Sequence, residues 1–430
     1  MMKPIEHVSP LLRESCVEMR HPSGLRIFVC QKPMRGAYAY FATRFGSLDC
    51  TYTDRDGQIL PLPDGTAHFL EHKLFDATPT HDPSARFSAL GVESNAYTSY
   101  EKTVYFVNAT AHMEEAIEEL LYFVTHPCFT EESVKKEQGI IAEEIRMYAD
   151  NPWECCYQQL LLALYHKNAV RREILGTQKS INKLTPALLQ TCYECYYDLS
   201  NMALTVCGSI SPEEVYAVAD RVLPKTPAPP RNRTRYTAEE PQNVKKETVR
   251  RQMPLPKPIF YIGIKDTELP GTPEELLRRD AAMSLLSEVL FSTAGDFYGT
   301  LLEEGLITPS FSAGYSISPR FAFHCIGGES DAPEVVLERV RTHMQSVLEH
   351  GIDEEELERC RRVLYADEIR DYDSTEEIAA DLLYSALGDT PLFSYPQILK
   401  ELTARELLEL LSTLLREGRI SLSVVEPPRT

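Results

Sequence analysis

Apolar and polar residues follow an order that occurs twice along the chain. Each half opens with strand-like runs, such as "AYAYFATRFGS" in the first half and "KPIFYIGIKD" in the second. A segment with helical periodicity follows, then a β-like stretch, then a pair of helices. The second helix of each pair carries the best match, "EEIRMYAD" at 143–150 against "DEIRDYDS" at 367–374. The pattern predicts an internal duplication of one α/β unit.

Between the two copies, residues 224–256 lose apolar periodicity and are rich in proline and charge. Such a composition is typical of a linker. We therefore predict an N-terminal domain over 1–223, a linker over 224–256 and a homologous C-terminal domain over 257–430. The chain has 430 residues, 43% of them hydrophobic, which is enough to bury two cores.

Acidic residues exceed basic ones, 64 against 44, and the formal net charge is -20. This excess would repel nucleic-acid phosphates and the anionic face of a membrane, so we expect neither as a partner. Solubility is the more frequent reason for surplus acid, and attraction of basic peptides is the alternative.

The N-terminal segment has no apolar stretch behind a basic start, and no run approaches the ~18 apolar residues of a membrane span. The eleven cysteines are an odd number in a long chain, which favours reduced thiols over a disulfide framework. We therefore expect a cytoplasmic protein. Cys192 and Cys195 have CxxC spacing, but no second pair stands at zinc-ribbon spacing, so we interpret this pair as coincidental.

The stretch "GTAHFLEHKLF" at 65–75 holds a candidate metal site. On a helix, His68 and His72 lie one turn apart on the same face, so both imidazoles can bind one ion. Glu71, between the two histidines in sequence, can reach the open side of the ion without being a ligand and suits a general base acting on water at the metal. The order H-x-x-E-H is an inverted zinc-peptidase motif, although such a short motif also arises by chance. The second half has nothing like "HFLEH", so the needs of the scaffold do not explain the two histidines.

A catalytic zinc with two histidine ligands commonly takes a carboxylate as its third. In the helix "TEESVKKEQGIIAEEIRMYAD", the helical phase predicts one apolar stripe that contains Glu137, Ile140, Ile141, Glu144 and Tyr148. Two carboxylates on an apolar face need a metal or a donor. We predict Glu144 as the third ligand and Glu137 as a supporting residue that orients a ligand. The alternative is a solvated helix with both glutamates at the edge of the stripe.

These residues resemble the insulinase/pitrilysin metallopeptidases, especially the short bacterial, YmfH-like members, which are akin to mitochondrial processing peptidase subunits. The resemblance runs along most of the chain. It is carried by "GTAHFLEHKLF", "SNAYTSYEKTVYF" and "FTEESVKKEQGIIAEEIRMYADNPW" in the first half and by "DFYGTLLEEGLI" in the second.

The resemblance implies one Zn²⁺ per chain, bound by His68, His72 and Glu144, with Glu137 in support and Glu71 as general base. It also implies a repeated fold of the α+β class. Two homologous α/β domains, each a mixed and largely antiparallel sheet flanked by helices, would form a clamshell around a peptide. Chains of this length in the family usually act as dimers, so we expect a homodimer or a heterodimer with a related chain.

In the family, the strand that "SNAYTSYEKTVYF" resembles pairs with the substrate backbone beside the zinc. Asn95, Ala96 and Tyr97 would then bind a peptide by β-augmentation. The alternative is that these residues alternate as in any antiparallel strand.

One departure from the family concerns the second half. Many members have an arginine and a tyrosine seven residues apart, where this chain has Leu301 and Thr308. Tyr315 and Arg320 follow a little further on, but we favour the view that they do not replace the pair. We therefore predict a zinc endopeptidase, with a peptide-binding or assembly subunit of little activity as the alternative. A structural zinc site is a weaker third interpretation, because three ligands leave a coordination position open.

Overall fold

Two β-sheets organise the chain in the computed structural model, which describes residues 3–53, 57–78, 80–228, 233 and 239–428. Each sheet belongs to one compact unit. Unit 1 comprises the described residues within 1–145, 173–236 and 369–393, and unit 2 comprises those within 146–172, 237–368 and 394–430.

The sheet of unit 1 has seven strands. They are β1 (Ile5–Ser9), β2 (Glu14–Arg20), β3 (Arg26–Gln31), β4 (Ala37–Thr43), β7 (Glu93–Thr98), β8 (Thr103–Ala109) and β9 (Met202–Gly208), and a separate hairpin pairs β5 (Thr51–Thr53) with β6 (Ile59–Pro61). The order across the sheet is β1-β2-β3-β9-β4-β8-β7, with β3 and β9 parallel and the other neighbours antiparallel. Strand β7 therefore lies at one edge.

Helices cover both faces of this sheet. They are α1 (Thr66–Leu74), α2 (Pro83–Leu90), α3 (Met113–Thr125), the part of α4 (Glu131–Ala149) up to residue 145, α6 (Gln178–Ile181), α7 (Pro186–Tyr196), α8 (Pro212–Val222) and α13 (Thr375–Gly388). The main core lies between the sheet and helices α1–α4, α7 and α8, and contains Phe41, Phe69, Tyr105 and Ile141.

Helix α13 comes from the second half of the sequence and covers the opposite sheet face of unit 1. Its apolar residues pack against Phe28, Tyr40 and Cys207. Thr205 Oγ1 donates a hydrogen bond to Ala379 O (2.8 Å). Near the end of α13, Arg26 Nη1 donates to Ala386 O (3.0 Å). The helix is thus held by apolar burial in its middle and by a charged donor near its C-terminus, which suits the helix dipole.

The sheet of unit 2 has five strands in the order β10-β14-β11-β13-β12. The strands are β10 (Thr248–Gln252), β11 (Ile259–Asp266), β12 (Ser312–Ser318), β13 (Phe321–Glu329) and β14 (Ile420–Glu426). Its helices are α5 (Pro152–Leu164), α9 (Pro273–Phe291), α10 (Asp296–Glu303), α11 (Pro333–His350), the part of α12 (Glu354–Asp371) up to residue 368, α14 (Tyr395–Glu401) and α15 (Ala404–Leu414). Here α5, from the first half of the sequence, packs against β11 and β14, and Cys156 Sγ donates to Ser423 O (3.4 Å).

The two units repeat one plan, in which an edge hairpin follows a helix: β4-β8-β7 in unit 1 matches β11-β13-β12 in unit 2. The predicted fold class, two homologous units with mixed, largely antiparallel sheets flanked by helices, is confirmed. The contiguous division at 223 and 257 needs correction, because residues 146–172 join unit 2 and residues 369–393 join unit 1. Any amphipathic helix that reaches a sheet face can bury it. The helix that covers a sheet therefore need not be close to it in sequence.

The predicted linker is only partly described, since residues 229–232 and 234–238 lie outside the described residues. Within its described part, Thr248–Gln252 forms β10, which pairs in parallel with β14 at the sheet edge. Four of its five residues are polar or charged, as is common for an edge strand. The segment therefore shows no apolar alternation from which a strand could be predicted. Among the described helices, none is both long and apolar enough to span a membrane.

Candidate metal centre

Helix α1 starts at a tight backbone contact in unit 1. Gly65 precedes the helix with φ 88°, a conformation that disfavours any side chain. A Cβ atom at Gly65 would lie 2.3 Å from Leu175 O, and one at Gly176 would lie 2.3 Å from Asp64 O. The two glycines therefore allow the segment at 175–176 to pack directly against the start of α1, which sets the direction of the helix.

The sides of α1 are divided between core and metal centre. Phe69 and Leu70 are fully buried in the core of unit 1. His68 and Glu71 are also buried, and His72 is half-buried. The imidazole rings of His68 and His72 lie 4.5 Å apart between centroids, as expected for side chains one turn apart.

Helix α4 brings the two glutamates to the histidines. Glu137 is 4% exposed and Glu144 is half-buried, while Glu143 points outward. The predicted apolar stripe is only partly correct: Ile141 is buried, but Ile140 is 45% exposed and Tyr148 is 41% exposed. The helix buries the narrower side through Val134, Glu137 and Ile141, so Glu144 lies at the rim of the core.

The polar atoms of three side chains converge at one point. Glu144 Oε2 lies 3.6 Å from His68 Nε2 and 3.5 Å from His72 Nε2. Tetrahedral zinc with bonds of about 2 Å separates neighbouring ligand atoms by about 3.3 Å. Glu144 Oε2 is buried and has no hydrogen-bond partner in the described part of the chain. Two imidazole nitrogens thus face a carboxylate oxygen that has no hydrogen bond of its own. This set of donors fits zinc.

Within the described ranges, His68, His72 and Glu144 are the one group of three or more potential ligands whose donor atoms all lie within 4.8 Å of one another. Close approach of His68 Nε2, followed by the charge of His72, lowers the pKa of Glu144 and keeps the carboxylate ionised. An ionised carboxylate is the form that binds a metal.

Glu137 orients one of the two imidazoles. Its Oε1 atom lies 2.9 Å from His72 Nδ1, which leaves His72 Nε2 facing Glu144. Burial opposes protonation of His72, but the hydrogen bond that Glu137 accepts from the ring and the charges of Glu137, Glu71 and Glu144 raise the pKa of His72 overall. A carboxylate behind a ligating histidine fixes the ring and its tautomer. His68 has no such support among the described residues, since its Nδ1 atom is buried without a partner.

Glu71 lies beside the three converging side chains. Burial raises the pKa of its carboxyl, while the Thr98 hydroxyl and the neighbouring His68 and His72 act in the opposite direction. Thr98 Oγ1 donates a hydrogen bond of 2.6 Å to Glu71 Oε2. Sequence reasoning missed Thr98, because nothing in its strand pattern distinguishes it from any other threonine.

Lys73 was also missed. The side chain is fully buried directly after His72 and forms an ion pair with Asp76. Burial lowers the pKa of Lys73, and the charge of Glu137 acts against that shift. A lysine buried at this position therefore adds a positive charge near Glu137.

Strand β7 holds the three residues predicted to bind a peptide. Asn95 and Tyr97 are exposed and Ala96 is half-buried against the core of unit 1. One side of β7 pairs with β8, and β7 ends the sheet order. Asn95 Oδ1 accepts a hydrogen bond from Ala96 N (2.8 Å), so its amide covers a backbone donor in the strand. The peptide-binding role of these residues stays a prediction.

The two residues that depart from the family pattern lie in unit 2. Leu301 is 1% exposed and belongs to the core. The Thr308 hydroxyl bonds Glu329 Oε2 (3.2 Å). Tyr315 donates to Asp266 Oδ2 (2.7 Å), and Arg320 is buried. Of the two residues considered as replacements, Tyr315 therefore has its hydroxyl engaged within its own unit.

The chain matches two family models: the insulinase family (peptidase family M16) over residues 62–178 and the peptidase M16 inactive domain over residues 183–364. The uncharacterized zinc protease YmfH of Bacillus subtilis is 32% identical over 440 residues, covering 99% of this chain and 100% of that protein. The uncharacterized zinc protease SCO5738 of Streptomyces coelicolor is 27% identical, covering 79% of this chain and 73% of that protein.

Among solved structures, an M16-like peptidase from Alicyclobacillus acidocaldarius superposes with a TM-score of 0.93 at 33% identity, covering 98% of this chain and 100% of that chain. The similarity to YmfH and to the Alicyclobacillus structure thus extends along almost the whole of each chain. The chain belongs to the insulinase family, peptidase family M16, and is of its short bacterial type.

Proposed function

We propose that this protein is a zinc-dependent endopeptidase that hydrolyses peptides or unfolded polypeptide segments. The observation that carries the proposal is the convergence of three donor atoms: Glu144 Oε2 lies 3.6 Å from His68 Nε2 and 3.5 Å from His72 Nε2. The Glu71 carboxylate is close enough to these side chains to feel their charges. Three ligands leave a fourth position open, which is typical of catalytic zinc and not of structural zinc. Relatives named as zinc proteases support the same conclusion.

Zinc held by His68, His72 and Glu144 would polarise a scissile carbonyl and make a water molecule acidic enough to react near neutral pH. Glu71 accepts the proton of the attacking water and returns it to the leaving amine. Glu137 keeps the His72 ring in position through Nδ1. The edge of β7, at Asn95, Ala96 and Tyr97, would pair with the backbone of the peptide.

The test separates the base from the metal ligands. Glu71→Gln should retain zinc at the wild-type stoichiometry and lose peptide hydrolysis by about 100- to 10,000-fold, since general base catalysis contributes on the order of 10²–10⁴ in rate. Glu143→Gln, an exposed glutamate on α4 next to Glu144, is the matched control and should hydrolyse peptides at the wild-type rate. Full activity of Glu71→Gln in a mixed quenched-peptide assay would refute the proposed mechanism.

A second candidate is a peptide-binding or assembly subunit with little activity alone. It is favoured by one observation, the replacement of the family's arginine and tyrosine by the buried Leu301 and by Thr308. The family resemblance noted in the sequence leads us to propose a homodimer or a heterodimer with a related chain. The cytoplasmic location stays a prediction. Assay of the zinc-loaded chain alone and after mixing with related chains separates the candidates, because a subunit of this kind cleaves peptides only in the mixture.

A further inference from the structure

We propose that Thr98 is a positioning residue for Glu71, and that its hydroxyl fixes the carboxylate in the place from which it acts. The inference rests on the proposed function, because it assigns to Thr98 a part in the same reaction. Thr98 is the last residue of β7, so the strand proposed to hold the peptide also holds the base.

The bond between the two residues is short and charge-assisted. Thr98 Oγ1 lies 2.6 Å from Glu71 Oε2. Glu71 has no other hydrogen bond within the described residues, whereas Glu137 and Glu144 have histidine nitrogens as neighbours. Hydrogen bonds to an ionised carboxylate are among the strongest in proteins. One hydroxyl therefore determines the orientation of a carboxylate that is buried yet close to two imidazoles.

The position of the hydroxyl is itself determined by the sheet. Thr98 pairs with Thr103 of β8, and Thr103 pairs with Thr43 of β4, so three threonines lie in one row across the sheet. Thr103 Oγ1 donates to Phe45 O (2.8 Å), and Thr43 Oγ1 donates to a buried backbone carbonyl (2.6 Å). The protons of both neighbours are thus engaged elsewhere, and Thr98 donates its own proton to Glu71.

A purely structural role is the competing explanation, since threonine is common in strands and its methyl group packs well there. That explanation predicts that valine, which has the same shape, replaces threonine without loss. The positioning role predicts that serine, which keeps the hydroxyl and loses the methyl group, is the better replacement.

The experiment compares Thr98→Val, Thr98→Ser and wild type, each loaded with zinc. Thr98→Val should lower kcat by about 10- to 100-fold with KM within about twofold, because a misplaced carboxylate affects the transition state more than binding. Thr98→Ser should restore kcat to within about threefold. Zinc affinity should not change in either variant, because Thr98 is not a ligand.

Crystal structures of the same variants supply a readout that does not depend on activity. In Thr98→Val the Glu71 carboxylate should leave its place by about 1 Å or occupy several rotamers, and in Thr98→Ser it should stay. The matched control is Thr205→Val, which removes a hydroxyl bond to Ala379 O on the opposite face of the same sheet and should leave kcat and Glu71 unchanged.

The outcomes separate the two proposals. A Thr98→Val enzyme with wild-type kcat and an unmoved Glu71 overturns the positioning role while hydrolysis by the wild type stands. A wild type that cleaves nothing refutes the proposed function, yet displacement of Glu71 in Thr98→Val and its return in Thr98→Ser still support the positioning role. If Thr98→Val unfolds, Thr98→Ala, which removes both the hydroxyl and the methyl group, takes its place. A kcat of Thr98→Ser as low as that of Thr98→Ala would then overturn the positioning role.

Discussion

Unit 1 and unit 2 place different polar clusters at the same point of their shared plan, where a helix lies beside the edge hairpin. In unit 2 the cluster is closed. Arg279 donates two hydrogen bonds, of 3.2 and 2.7 Å, to Asp266 Oδ2, and Tyr315 donates one of 2.7 Å to the same atom. Each charge meets its opposite, so the carboxylate of Asp266 is satisfied by groups of its own unit.

In unit 1 the cluster is open. His68 Nε2 and His72 Nε2 face Glu144 Oε2 at 3.6 and 3.5 Å, and that oxygen is buried without a hydrogen bond in the described part of the chain. Burying polar atoms without partners costs free energy, so a ligand must supply the missing interaction. The difference between the copies therefore teaches that the described polar groups of the unit 2 cluster satisfy one another, whereas those of the unit 1 cluster leave an interaction for a ligand to supply.

The largest expected effect comes from removing one predicted ligand of the open cluster. Glu144→Gln keeps the shape of the side chain and removes the negative charge that a metal binds. We expect zinc affinity to fall by more than about 100-fold, because loss of a supporting residue alone costs 10- to 100-fold. Competition with a zinc chelator measures the affinity. Wild-type affinity in this variant would show that the cluster is not the metal site.

The closed cluster should behave in the opposite way. Asp266→Ala leaves Arg279 buried without its partner, which costs about 3–5 kcal/mol of unfolding free energy. Zinc affinity should stay at the wild-type level, because the change lies in unit 2. Urea unfolding and zinc competition on the same sample check both parts, and a parallel loss of zinc would contradict the assignment of separate roles.

A buried histidine of unit 2 gives a pH dependence. Burial lowers the pKa of His324 from 6.5 to about 4, and its Nε2 atom bonds Ser287 Oγ (3.1 Å). Between pH 6.5 and 4 the unfolded chain binds a proton that the folded chain refuses. As the pH falls from 6.5 to 4, this histidine therefore lowers the unfolding free energy by about 1.4 kcal/mol per pH unit, or about 3 kcal/mol in all. Above pH 6.5 it has no effect on the unfolding free energy.

His324→Gln should flatten that part of the stability profile. The control is His350→Gln, at the exposed end of α11, which should leave the slope unchanged. Urea unfolding at half-unit steps from pH 7 to pH 4 gives the comparison, and an unaltered slope in His324→Gln would show that burial does not keep this histidine neutral.

The smallest effect concerns the support behind the open cluster. Glu137→Gln keeps a hydrogen-bonding group at His72 Nδ1 but removes its charge. We expect zinc affinity to fall by about 10- to 100-fold, less than for Glu144→Gln. A larger loss than in Glu144→Gln, measured by the same competition, would reverse the assignment of ligand and support.

Much of this site could be predicted from local periodicity. His68 and His72 share a helix, so their spacing alone places both rings on one side. Helical phase also separated Glu144 from Glu143 on α4, and the structure has Glu143 pointing outward. The same reasoning failed for Ile140 and Tyr148, which are exposed, because phase predicts a direction and not the width of the face that a neighbouring element covers.

The sequence by itself determined the duplication, the family and the candidate ligands, since each depends on residue types at short spacings within one element. Only the tertiary structure decided that α13 covers the sheet of unit 1, that 248–252 forms a strand, and that Thr98 reaches Glu71. These contacts join residues distant in sequence, between 27 positions for Thr98 and Glu71 and 174 for Thr205 and Ala379. A local pattern shows which side of an element seeks a partner, whereas the partner is chosen by the packing of the whole unit.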